Sequence, residues 1–233
     1  LLGKFKVTPA CKCEADKAVE EHRLMQLAEY NARVHKFSDD DQMVPHATFE
    51  GFQVTPGTKA GLTLLQDFVA NTDEWKARGV YLFGANGLGK SHLLSAAANQ
   101  LRRNHKSVIY TTAKMLIAHL KSGGSRWEYL HAYKVADVLI IDEIGADIPA
   151  DWEMGDLFNI LNGRQHRKPT LFGSNLSVKE LEAKVEARQA GWGTRLMERI
   201  IEGAYTVKMT GESYRFRRNE ETRKWVEGRL KGT

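Results

Sequence analysis

Residues 79–92 read Gly-Val-Tyr-Leu-Phe-Gly-Ala-Asn-Gly-Leu-Gly-Lys-Ser-His. Val80 to Phe83 is apolar without alternation, the pattern of a short strand buried on both faces of a parallel sheet. From Gly84 to Ser91 every fixed position of the phosphate-loop pattern G-x-x-x-x-G-K-[ST] is filled. Glycines at 84, 87 and 89 let the backbone turn tightly, so that the N–H groups of the loop, Gly84-Ala85-Asn86-Gly87-Leu88-Gly89, point inward at an anion. The Leu/Ala-rich stretch from His92 to Arg103 predicts a helix, whose N-terminus brings the positive end of its dipole to the same spot. Lys90 then reaches the β- and γ-phosphates of ATP or ADP, and the Ser91 hydroxyl holds Mg²⁺. A chance glycine turn before a lysine would lack the strand before it and the helix after it.

Two further apolar runs extend this unit into a sheet. Asp137 to Glu143 reads Asp-Val-Leu-Ile-Ile-Asp-Glu, an inside strand ending on two carboxylates. Ligands bind at the carboxyl ends of such strands, which positions Asp142 to hold Mg²⁺ and Glu143 to act as general base on an attacking water. The plainer alternative is a strand end capped by solvated acids. Thr170 to Asn175 is a third run, and Asn175 is placed to orient the water or sense the γ-phosphate. Ser177 with Glu180 makes a capping box for the helix over 177–188. A strand at 107–110, helices over 112–121, 126–133, 151–165 and 194–202, and strands near 204–209 and 213–217 complete the expectation. The fold class is α/β, with helices layered on both faces of a central parallel sheet.

Before the phosphate loop, residues 58–77 show helical periodicity. Phe49 and Phe52 read as core anchors or as walls of an adenine pocket. Residues 14–36 are charged helix formers with sparse apolar positions, an exposed helical arm. The Ser38 to Gln42 turn and Pro45 place a boundary there, leaving 1–45 as an arm and 46–233 as the main domain.

The 233 residues hold one large domain with an appendage. No apolar run is long enough to span a membrane, and no secretory signal is present. The formal net charge of +5 suits a nucleic-acid partner without requiring one. The two cysteines, Cys11 and Cys13, are too close for an ordinary disulfide, and a cytoplasmic setting is the simpler reading. They are either plain thiols or half of a zinc site begun upstream. The chain starts on Leu1, and a missing upstream part is expected. Arg195 and Arg199 share a helix face, with Glu198 beside them as the partner of a solvated salt bridge. Basic residues and aromatics alternate in the tail around Arg215, Arg218 and Trp225, as a nucleic-acid contact or a solvated terminus.

The order of the phosphate loop, Ile-Ile-Asp-Glu-Ile-Gly at 140–145, Gly-Ser-Asn-Leu-Ser at 173–177, Arg-Leu-Met-Glu-Arg at 195–199 and Gly-Glu-Ser-Tyr-Arg at 211–215 resembles the DnaC/DnaI family of bacterial and phage helicase loaders, which are AAA+ ATPases. The resemblance covers about 46–218. It implies a three-layer AAA+ domain that loads a DnaB-type replicative helicase onto single-stranded DNA, self-associates, and hydrolyses ATP with Mg²⁺. It implies that Asn175 acts as sensor 1, that Arg199 acts as an arginine finger on a neighbour's ATP, and that Arg215 acts as sensor 2. It also implies that 111–135 contacts single-stranded DNA and that 1–45 ends a zinc-bearing, helicase-binding domain. Loaders often carry Asp-Asp where this chain has Asp142-Glu143. Two alternatives remain, an IstB-like transposition helper and a nucleotide-gated adaptor with little hydrolysis. A small-molecule kinase fits less well, since the acidic pair, Asn175 and the distal arginines suit water as acceptor.

Overall fold

The computed structural model describes residues 12–121, 123, 125–147 and 151–231. The sheet has five parallel strands in the order β2-β3-β4-β1-β5. They are β1 (Gly79–Phe83), β2 (Val108–Thr112), β3 (Val138–Asp142), β4 (Thr170–Ser174) and β5 (Ala204–Lys208). The apolar runs alternate between two cores, as a pleated strand must. Val80, Leu82, Val138 and Ile140 face one core, and Tyr81, Leu139 and Ile141 face the other. On the first face lie α2 (Lys59–Ala70) and α3 (Lys90–Arg103). On the other lie α4 (Ala113–Lys121), α5 (Arg126–Val135), α6 (Asp151–Arg164), α7 (Val178–Arg188) and α8 (Gly193–Gly203). The expected three layers with a parallel sheet are present.

An arm precedes this body. Helix α1 (Lys12–His35) is exposed along most of its length. Its end docks through buried Val34 and through Asn31, which donates to the His105 carbonyl at 2.8 Å. The strap after it lies on β2, where the Asp39 amide donates to the Tyr110 carbonyl at 2.8 Å and the Thr111 hydroxyl donates to the Asp39 carboxylate at 2.6 Å. Cys11 lies outside the described residues, and so does the Cys13 side chain.

Two elements differ from expectation. The helix expected over 58–77 stops at Ala70, because Asn71 and Thr72 turn back on it. Trp75 then folds over as a cap, with its indole N–H on Asp67 at 2.8 Å and its ring edge-on to Phe68. The strand expected at 213–217 is instead the start of α9 (Tyr214–Lys231). Alternating aromatics and cations imitate a strand there, but the segment does not join the outer edge of β5. The chain turns at Gly211, and the Tyr214 amide is then held by the Gly87 carbonyl as the helix begins.

Candidate nucleotide site

The carboxyl ends of β1, β3 and β4 open into one cavity of about 480 Å³, within the usual range for small-molecule sites. Its lining includes the loop from Asn86 to His92, together with Asp142, Glu143, Asn175 and Arg215. Strand β4 lies between β1 and β3, so the loop and the acidic pair face each other across one strand. The loop keeps its shape for a local reason. Gly89 has φ +87°, and a Cβ there would stand 2.5 Å from the Phe52 ring. Phe52 therefore lies against the loop, near the His92 ring at 5.6 Å between centroids, and lines the cavity. Phe49 packs beside the α2–α3 core.

Lys90 is 8% exposed. Its ammonium donates to the Gly84 carbonyl at 2.7 Å, the Ala85 carbonyl at 2.9 Å and Asn175 Oδ1 at 2.8 Å. Gly84 and Ala85 thus serve the site through their carbonyls. Burial holds the Lys90 pKa below the ordinary lysine value; Asp142 and Glu143 oppose that fall and Arg215 adds to it. Asp142 is 3% exposed. Its Oδ1 accepts from the Glu143 amide and its Oδ2 from the Tyr110 hydroxyl, both at 2.8 Å. Each carboxylate oxygen has a second lone pair, so the group suits a cation held through water. Glu143 is exposed to the cavity and sits at φ +56°, a left-handed backbone rarely adopted by a non-glycine residue. Ser91 opens onto the same space.

Arg215 reaches the cavity because the start of α9 is pinned to the loop, with the Tyr214 amide donating to the Gly87 carbonyl at 2.8 Å. Arg218, one turn on, also lines it. Arg199 is elsewhere. Its guanidinium lies over the Phe158 ring at 5.4 Å and pairs with Glu202 at 3.2 Å, so the ion-pair partner is Glu202 rather than Glu198. The capping box is formed as expected, Ser177 accepting from the Glu180 amide and Glu180 accepting from the Ser177 amide. Sequence reasoning missed Tyr110, and it placed Arg218 in the basic tail rather than at this cavity. Neither falls in a motif, and Tyr110 meets Asp142 only through strand pairing.

The arrangement suits a bound nucleoside triphosphate: loop amides and Lys90 for the phosphates, Ser91 and Asp142 for a divalent cation, Glu143 and Asn175 beside the terminal phosphate. No described helix is long and apolar enough to cross a membrane. The sequence model of the IstB-like ATP binding protein family matches residues 19–222. The replicative helicase loader DnaI of Bacillus subtilis is 31% identical over 181 residues, which are 72% of this chain and 58% of that protein. The replicative helicase loader DnaC of Escherichia coli is 28% identical over 186 residues, covering 72% of this chain and 73% of that one. A crystal structure of DnaI superposes with a TM-score of 0.64 at 28% identity, covering 71% of this chain and 92% of that one.

Proposed function

The chain belongs to the family of IstB-like ATP-binding proteins, and from that premise we propose that it is a Mg²⁺-dependent ATPase that delivers a hexameric replicative helicase onto single-stranded DNA. The observation that carries the ATPase part is the convergence of Lys90, Ser91, Asp142, Glu143, Asn175 and Arg215 on one cavity at the carboxyl edge of the sheet. The likeness to DnaI and DnaC supports the loading part. The chain spans 58% of the DnaI length, so the helicase and DNA contacts belong to this proposal.

In this reading Lys90 exchanges its carbonyl and amide acceptors for the β- and γ-phosphates, which are charged and bind an ammonium more strongly. Mg²⁺, held by the Ser91 hydroxyl and through water by Asp142, would neutralise phosphate charge. Glu143 takes the proton of the attacking water, and Asn175, released by Lys90, orients that water. Arg215 contacts the γ-phosphate from the same subunit. Arg199 serves a neighbour's ATP, which requires assembly. The region 111–135 grips single-stranded DNA, and the arm before residue 46 joins the helicase-binding part.

The match to IstB-like ATP-binding proteins keeps a second reading, the transposition helper that the sequence resemblance also allowed, with the same ATPase core. Pull-down of a DnaB-type helicase against a transposase separates the two. Capture of the helicase, with turnover that rises on single-stranded DNA, is expected. Capture of the transposase alone would overturn the loader, and absent turnover with intact ATP binding would leave a nucleotide-gated adaptor.

A further inference from the structure

Tyr110 carries a hydroxyl into the deepest part of the α2–α3 core. Its side chain is 0% exposed. In the β2–β3 register Tyr110 is opposite Ile140, and Asp142 is opposite Thr112. Tyr110 and Asp142 therefore share a face and stand diagonally, two residues apart, a separation an aromatic side chain can bridge. The phenol donates to Asp142 Oδ2 at 2.8 Å.

A buried tyrosine hydroxyl needs a partner, and the bland account is that this one took the nearest acceptor. The surroundings of Asp142 argue for more. Its other oxygen accepts the Glu143 amide at 2.8 Å. That oxygen also lies against the bare face of Gly173, where a Cβ would stand 2.0 Å from it. Among the described residues the Glu143 amide holds Oδ1 and the Tyr110 phenol holds Oδ2. Rotation about Cβ–Cγ moves both oxygens together, so losing the phenol removes one of the two hydrogen bonds that resist it. Phenylalanine would fill the same core space, so what the hydroxyl adds is its hydrogen bonds, one to Asp142 and one with Ser95.

We propose that Tyr110 is a positioning residue for the divalent-cation site, holding the Asp142 carboxylate by its Oδ2 so that its remaining lone pairs face the cavity. The inference rests on the reading above that Asp142 serves Mg²⁺. Outer partners that orient a group bound directly to a metal are worth about 10–100-fold in metal affinity; with Asp142 acting through water, the contribution of Tyr110 is expected at or below the low end of that range.

The test is Tyr110→Phe, read by binding of a fluorescent ATP analogue as Mg²⁺ is titrated, with thermal unfolding in parallel. Expected is unchanged nucleotide affinity without Mg²⁺ and a raised half-saturating Mg²⁺ concentration, by up to about tenfold. A lowered melting temperature with unchanged Mg²⁺ dependence would make Tyr110 an ordinary core residue. Tighter Mg²⁺ dependence would also overturn the inference, since the hydroxyl would then only draw charge from the carboxylate. If Tyr110→Phe does not fold, 3-fluorotyrosine at position 110 keeps ring and hydroxyl while strengthening the donor. A shifted Mg²⁺ half-saturation supports the steering bond, and an unchanged one overturns it. Nucleotide binding by the native chain that ignores Mg²⁺ would sink the cation-site reading itself, which separates that failure from this one.

Discussion

Two buried cations occupy opposite edges of the same sheet. Lys90 stands at the carboxyl edge and is 8% exposed; Arg164, at the end of α6, stands at the amino edge and is 1% exposed. Arg164 donates to the carbonyls of Tyr133 at 2.7 Å, Ala136 at 2.9 Å and Pro169 at 2.6 Å, and to the Thr170 hydroxyl at 3.0 Å. Those acceptors mark the end of α5 and the entry to β4. Burial pulls both pKa values down. What separates the two is the surroundings. Arg164 fills a rigid fork with fixed backbone acceptors and is not part of the nucleotide cavity's lining. Lys90 has three acceptors that a phosphate can replace, and it faces open space. Burial of a charge therefore does not by itself mark function; replaceable partners beside a cavity do.

The largest expected effect is a double dissociation. Arg164→Met should leave the buried carbonyls of Tyr133 and Ala136 without the donor they have now, and that of Pro169 with the Leu139 amide at 3.4 Å, at about 1–3 kcal/mol for each one orphaned, against a total stability of about 5–15 kcal/mol for a domain. Its melting transition should fall steeply or vanish. Lys90→Ala should melt near the native temperature yet lose measurable ATP binding. If Lys90→Ala unfolds and Arg164→Met only weakens ATP binding, the contrast is wrong.

Next comes Arg199→Ala. A trans-acting arginine contributes about 10³–10⁵ in rate in other phosphoryl-transfer systems. The variant should bind ATP normally and stay slow at protein concentrations where the native chain accelerates. Mixing it with Lys90→Ala should restore turnover, because one partner supplies the pocket and the other the arginine. No rescue despite co-assembly would leave Arg199 as the Glu202 and Phe158 partner it is in the isolated chain.

Glu143→Gln follows. General-base groups contribute about 10²–10⁴-fold. Affinity for ATP should hold while turnover drops by that order. Unchanged turnover would remove Glu143 from the reaction.

The contrast between the two cations also explains what the sequence discloses. Lys90 is legible because its role is local: strand, loop and helix are contiguous from Gly79 to Arg103, and the spacing alone dictates the geometry. Asp142 and Asn175 are legible because each ends an apolar run. Arg164 is silent, since its acceptors come from two separate segments, 133–136 and 169–170, and no motif demands it. Tyr110 is silent for the same reason, 32 residues from the carboxylate it touches. The tail misled because Tyr-Arg-Phe-Arg alternates like a strand, while the contact that holds its start, the Tyr214 amide on the Gly87 carbonyl, joins distant parts of the chain. The partner of Arg199 was one helical spacing off: Glu202, three residues on, rather than the adjacent Glu198.

The smallest effect is a titration. Burial lowers the Lys90 pKa from the ordinary 10.5 in the nucleotide-free chain, so the folded form sheds this proton before the unfolded one does. Between the lowered value and the ordinary one the unfolded chain holds more protons, and stability rises with pH through that window. Bound phosphates reverse the sign, because their charge favours the ammonium. ATP binding then takes up a proton, and affinity should fall as pH rises, by at most about tenfold per pH unit for one coupled proton. The decline should begin below the range of an exposed lysine. Arg164, at the opposite edge of the sheet from the nucleotide cavity, has no such coupling to ATP. Calorimetry in two buffers of different ionisation enthalpy reads the uptake directly. Zero uptake and flat affinity up to about pH 10 would mean that Lys90 stays charged without nucleotide, and that its carbonyl partners and Asp142 already compensate its burial as fully as the fixed acceptors of Arg164 do.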